Sequence, residues 1–294
     1  MNLRRLNRLC FLLLSLALVG ICAPALGGPP GLSVFVSIIP QKFFVQKIGG
    51  GHVTVAAMVR PGANPATYEP RPSQMAALAS ARLYFAIGVP FEQAWMKRIA
   101  AANSRMQIVR TQQGIEKMPM PTFLGKGRPQ HKGIPDPHIW LSPRLVKIQA
   151  EHIARALGEA DPLHRQQYRE NHRRFAAELD ALDAELKQMF AGYRGMEFMV
   201  FHPSWGYFAR DYGLRQVPVE VEGKTPKPAR LKALIEHARR RGIRLILVQP
   251  QFSRKSAELI ARAIGARVVT ADPLAEDWER NLRRCAEAIK DALK

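Results

Sequence analysis

The sequence predicts an α/β protein of two doubly wound parallel-sheet lobes joined by one long rigid helix. Three observations predict it. Short apolar runs alternate with helical patterns from Leu32 to the C-terminus, the rhythm of βαβ units. That rhythm occurs twice, before residue 160 and after residue 191. Between the halves, residues 161–190 carry one stripe at helical spacing: Tyr168, Phe175, Leu179, Leu182, Leu186 and Met189. Thirty helical residues measure roughly 45 Å, longer than a small lobe is wide, so the segment reads as a connector.

Residues 1–25 read as a secretory signal peptide. Arg4, Arg5 and Arg8 form a basic start, residues 9–21 an apolar core, and Ala23-Pro24-Ala25 a small-residue cleavage site. The apolar core is too short to span a bilayer comfortably, so cleavage is expected rather than a membrane anchor. Cys22 offers a lipid anchor as the alternative, and Ile21, a poor residue before a lipidated cysteine, argues against it. The mature chain opens on a buried strand at 34–38 and a helix at 40–48 that three glycines stop. A strand at 53–59 ends at the Pro61-Gly62 turn, and Ser73 caps a helix to about residue 80. A strand at 83–87, a helix at 91–102 and a short strand at 108–109 follow. Residues 114–137, rich in Gly, Pro and Lys and without periodicity, form a loop. Ser142-Pro143 opens a helix that reaches about residue 158, and Asp161 N-caps the connector with Pro162 at its first position. The second half gives strands at 198–201, 216–219, 245–248 and 267–270. Its helices fall at 205–212, 228–241, 255–264 and 277–293. The domain plan is a first lobe at 32–160, a connector at 161–190 and a second lobe at 191–294.

Of 294 residues, 47% are hydrophobic and 23% charged, the balance of a globular chain with a substantial core. Cys10 and Cys22 fall in the signal region, which leaves Cys285 without an intramolecular partner. The net charge is +20, of which Arg4, Arg5 and Arg8 belong to the signal. The remaining basic residues are scattered, and the densest run, Arg239-Arg240-Arg241, ends a helix, where cations complement the dipole. No aromatic–basic stacking motif or zinc-finger spacing accompanies them, so no nucleic-acid partner is expected. Attraction to anionic membrane surfaces is the remaining reading of the charge. No G-x-S-x-G, P-loop, H-E-x-x-H or post-strand G-x-G-x-x-G is present. Ser204 lies two residues from His202, and sequence neighbours rarely form a nucleophile–base pair, so an enzyme is not expected.

Ligands of such sheets bind beyond the carboxyl ends of the strands. Three residues with metal-ligand chemistry stand there: His138 in Asp136-Pro137-His138, His202 after the strand at 198–201, and Asp272 after the strand at 267–270. Each is beside a proline, which restricts the local backbone. Imidazole with carboxylate suits zinc, manganese or iron. Taken singly, a histidine after a strand is more often a loop or capping residue, and Asp272 would serve as an N-cap. Their shared position in both halves strengthens the metal reading and leaves the loop and capping readings open. His131, in the loop, is within reach of such a site.

These residues, with the rest of the mature chain, resemble the extracytoplasmic solute-binding proteins of zinc- and manganese-type ABC importers. The resemblance rests on Val36-Ser37-Ile38-Ile39-Pro40, the loop at 61–70 (PGANPATYEP), DPHIWLSP at 136–143 and FHPSWGYFARDYGL at 201–214. Glu222-Gly223-Lys224, Pro250-Gln251-Phe252-Ser253 and DPLAEDW at 272–278 complete it. It implies a metal cleft between two lobes joined by a long helix, and His138, His202 and Asp272 at three of four ligand positions. It also implies a periplasmic, monomeric carrier of Zn2+, with Mn2+ or Fe2+ as alternatives, that meets the membrane through an ABC permease with its ATPase.

The fourth position departs from the family pattern, Pro-Gly-x-Asp-Pro-His-x-Tyr-Glu-Pro. Asn64 replaces the aspartate and Ala66 the metal-binding histidine, while Glu69 is retained. Gln249 stands where relatives usually carry an acid. Two histidines and a carboxylate still bind a divalent ion, with one coordination position open. Water or a small anion fills it, or Glu69 or His131 swings in, or the cargo is a metal–chelate complex. A family member that has lost transport and serves an interaction or adhesion role is the other alternative.

Overall fold

Two four-stranded, wholly parallel sheets organise the computed structural model, which describes residues 31–120, 134–220 and 226–293. The first sheet holds β1 (Leu32–Val36), β2 (Val53–Ala57), β3 (Leu83–Ala86) and β4 (Gln107–Arg110) in the order β2-β1-β3-β4. The second holds β5 (Glu197–Val200), β6 (Arg215–Pro218), β7 (Leu245–Val248) and β8 (Arg267–Thr270) in the order β6-β5-β7-β8. The halves share one topology, as the repeated rhythm predicts. Inner strands β3 and β7 are covered on both faces and are apolar at every position, whereas edge strands β4 and β8 begin and end on exposed polar residues. Strand order reverses between β1 and β3 and again between β5 and β7, and crevices at such switch points are where α/β sheets take ligands.

The helices are α1 (Ile39–Gly49), α2 (Pro72–Ala77), α3 (Pro90–Ala102), α4 (Pro143–Ala160), α5 (Arg165–Phe190), α6 (Gly206–Asp211), α7 (Pro228–Arg241), α8 (Arg254–Ile264) and α9 (Trp278–Leu293). The first strand ends at Val36, two residues short of expectation. The Gln41 side chain explains this, because its Oε1 accepts the Ser37 and Ile38 N–H groups at 3.1 and 3.3 Å and turns the chain into α1. The connector differs likewise at its start. A 3-10 turn, Pro162–His164, precedes α5, and the Asp161 carboxylate accepts from Tyr168 Oη (2.6 Å) and His164 Nδ1 (2.7 Å) instead of capping backbone. The predicted stripe is buried except at Met189; Phe190 takes the last core place, its ring 5.8 Å from Phe208 and 6.0 Å from Tyr212.

Helix α5 is packed along its length against α4, α1 and α9. One buried apolar cluster runs from the first sheet past Phe175 and Leu182 of α5 to Phe198, Val200, Leu245 and Leu247 on the inner face of the second sheet. Met199, Ile246 and Val248 point the other way and close a second cluster with α7 and α8. Residues Gly31–Lys294 accordingly form one compact unit. Two buried indoles tie the halves: Trp140 Nε1 donates to the Pro273 carbonyl (2.6 Å) and Trp278 Nε1 to the Trp140 carbonyl (2.7 Å). Among the described residues no helix is long and apolar enough to cross a membrane.

Candidate metal centre

His138 enters a 3-10 turn, Ile139–Leu141, at the end of the long loop, and His202 directly follows Phe201 beyond β5. Their imidazoles meet in the cleft between the halves, ring centroids 5.1 Å apart and planes at 71°. Two imidazoles sharing one tetrahedral ion at about 2.1 Å would have centroids about 5 Å apart, so the spacing suits a chelating pair. Trp140 flanks the His138 ring at 5.1 Å, and Phe252 stacks on His202 at 5.2 Å.

Each ring is held from behind by a buried carboxylate. Asp136 Oδ1 accepts both the backbone N–H (2.9 Å) and Nδ1–H (2.7 Å) of His138, and Asp136 is fully buried. Glu220 Oε1 accepts from Nδ1 of His202 at 2.6 Å. A proton fixed on each Nδ1 leaves each Nε2 lone pair free for a ligand. Burial holds His138 below the usual histidine range, with Asp136 opposing, so its ring is neutral and ready to coordinate at neutral pH. The second oxygens of both carboxylates, Asp136 Oδ2 and Glu220 Oε2, are buried and unpartnered among the described residues. Gly206 makes room for the first, since a Cβ there would fall 2.9 Å from Asp136 Oδ2.

Asp272 stands at the cleft's edge. Its Oδ1 accepts the Leu274 N–H (2.9 Å) and the Gln251 side-chain amide (3.3 Å), while Pro273 and Leu274 line the cleft itself. Among the described residues no three His, Cys, Asp or Glu side chains are gathered closely enough to hold one ion. The structure thus brings His138 and His202 together and leaves Asp272 turned to its own loop. Glu69 is exposed and outside the cleft lining, and His131 lies outside the described residues, as do Glu222-Gly223-Lys224 and residues 1–25. Ser204 Oγ faces the His202 carbonyl and the Gln249 amide rather than an imidazole, so no nucleophile–base pair forms there.

The profile described as zinc-uptake complex component A, periplasmic, matches residues 34–292. The chain belongs to this family. Its members are metal-binding solute-binding proteins of ABC importers. The high-affinity zinc uptake system protein ZnuA of Bacillus subtilis is 25% identical over 89% of this chain and 88% of its own. A crystal structure of ZnuA superposes with a TM-score of 0.84 at 45% identity, covering 90% of this chain and all of that one. The laminin-binding protein Lmb of Streptococcus agalactiae, described as having adhesin and metal-transporting activity, superposes at 0.79 with 25% identity over 90% of this chain and 100% of its own.

In this chain, the loop at 61–70 is held by its own side chains. Asn64 Oδ1 accepts the Ala66 N–H at 2.9 Å, the bond an aspartate would make. Tyr68 Oη donates to Gln74 Oε1 (2.6 Å), Gln74 Nε2 donates to the Met58 carbonyl (2.6 Å), and the Phe91 N–H donates to the Pro65 carbonyl. Ala66 is exposed and lines the cleft, where it presents only a methyl group. Gln249 has its own logic. Its Oε1 accepts the His202 N–H (3.1 Å) while its Nε2 donates to the His202 carbonyl (2.7 Å), a two-way clip that an ionised acid cannot make. Asp136, Glu220 and Gln249 were not assigned these roles by sequence reasoning. The signals were faint: an aspartate two residues before a histidine, and polar residues just past β6 and β7.

Proposed function

We propose that the cleft captures one divalent transition-metal ion on His138 and His202 and passes it to an ABC permease driven by its ATPase. The observation that carries this reading is the pair of converging imidazoles, each with Nδ1 held by a buried carboxylate, the arrangement that orients and strengthens histidine ligands. Asp272 supplies the third ligand by turning its carboxylate from the Leu274 amide into the cleft, beside residues that already line it. Zinc is the preferred ion, because nitrogen–oxygen sites hold it more tightly than manganese or ferrous iron. Ala66 leaves the fourth position to solvent or to the cargo. Export by cleavage after the signal at 1–25 places the carrier at the permease's outer face, and N-terminal sequencing of the secreted chain would locate the cut.

Metal-stripped protein binds about one zinc ion per chain, and His138→Ala or His202→Ala abolishes binding in a competition titration against a chromogenic chelator. Undiminished binding in both variants would refute the site.

A further inference from the structure

The cleft is larger than a bare ion requires, and its lining holds two cations, Lys117 and Arg110, against one carboxylate, Glu92. Its volume is about 500 Å3, whereas a water takes ~30 Å3 of liquid and pockets for small organic ligands run from about 300 to 1,000 Å3. Lys117 and Arg110 both line it, and among the described residues neither forms an ion pair. Gly88 adopts φ +85°, a conformation that favours glycine, and the Lys117 ammonium lies beside it. The bond from Lys117 Nζ to the Gly88 carbonyl is long, 3.4 Å, which leaves the ammonium available to a better acceptor. Burial pulls the Lys117 amine below its ordinary value while Glu92 and Asp136 hold it up, and its charge is felt at His138. A fixed cation in that position repels a naked dication and attracts an anion that arrives with it. Ala66, also in the lining, offers no protein ligand to compete with such an anion.

We propose that the cleft takes its ion together with a small carboxylate-bearing chelator. The ion sits on His138 and His202, one chelator oxygen fills the coordination position beside Ala66, and a further carboxylate faces Lys117 and Arg110. This rests on the two-histidine metal reading and specifies its cargo. The volume favours a chelator of several carboxylates over a lone oxyanion such as phosphate, though both share the oxygen chemistry.

Equilibrium dialysis of metal-stripped protein against radiolabelled citrate, with and without equimolar zinc, provides the test. Citrate is retained stoichiometrically with zinc and not without it. Lys117→Met lowers that retention at least ~10-fold, the loss of one charge-assisted contact, while zinc offered alone binds more tightly because the repulsion is gone. Lys117→Arg keeps the retention. Zinc bound with no citrate retained would overturn the chelator and leave the two-histidine site standing, as would retention of inorganic phosphate in place of citrate. A Lys117→Met protein that loses zinc and citrate alike would show the lysine to be structural and overturn the proposal. Failure to bind zinc in either form would overturn the metal reading itself.

Discussion

The two lobes have the same strand order and spend their switch points on opposite tasks. In the first lobe the polar groups at the β1/β3 crevice turn inward. Glu92 gives both carboxylate oxygens to the Ile87 and Gly88 amides at 2.9 Å, and Gln41 Nε2 reaches Thr111, whose hydroxyl donates to the Ala86 carbonyl. In the second lobe the β5/β7 crevice turns outward: Gln249 clips the backbone of His202, Glu220 fixes its ring, and the imidazole faces the cleft. The first lobe's contribution, His138, comes instead from the end of the long loop, with its own aspartate beside it. Shared topology therefore fixes where a ligand can stand, and the side chain behind that position decides whether one does.

The comparison breaks most visibly at the carboxylates behind the histidines. Glu220→Gln and Asp136→Asn are each expected to weaken zinc binding by ~10–100-fold, the usual cost of losing such a partner. A chelator-competition titration reads both, and a loss confined to one variant would mean that only one imidazole carries the ion. The alanine at position 66 gives the next largest expected effect. Ala66→His adds a donor on the first lobe's wall, in a loop whose frame is already held by Asn64 and Tyr68, and tightens zinc about 10-fold or more. No gain would mean that this loop does not present position 66 to the ion.

The inward-facing switch point predicts a stability effect instead. Glu92→Gln places an amide N–H group against one of two backbone donors, and a lost buried hydrogen bond costs about 1–3 kcal/mol. Burial raises the Glu92 carboxyl above its ordinary value. Its stabilising contribution is therefore full below the ordinary carboxylate range and is lost as pH rises through the folded-state value. Chemical denaturation at a series of pH values should show that slope in the natural protein and a flatter one in the variant.

Much of this was legible from residue order. β7, β8 and α7 fall where expected because their ends are chemically sharp: β7 is four apolar residues between Arg244 and Gln249, and α7 opens at Pro228 and closes at Gly242, whose φ is +64°. The ends set by side chains were hidden. Gln41 cuts β1 short from three residues beyond the strand's expected end, and Asp161 is drawn from its capping duty by Tyr168. His202 was legible as a residue past a strand end, and His138 as the histidine that closes the long loop. Glu220 was not, because its contact with His202 spans 18 residues and follows no local period. Nor did spacing reveal that Asp272 turns to Leu274 and Gln251.

In the proposed site two imidazoles, one from each lobe, hold the ion. X-ray absorption at the zinc K edge of the zinc-loaded protein measures this directly. The proposed site gives the multiple-scattering signature of two imidazoles at about 2.0–2.1 Å with oxygen ligands completing the shell. A shell with fewer than two imidazoles in the natural protein would contradict it.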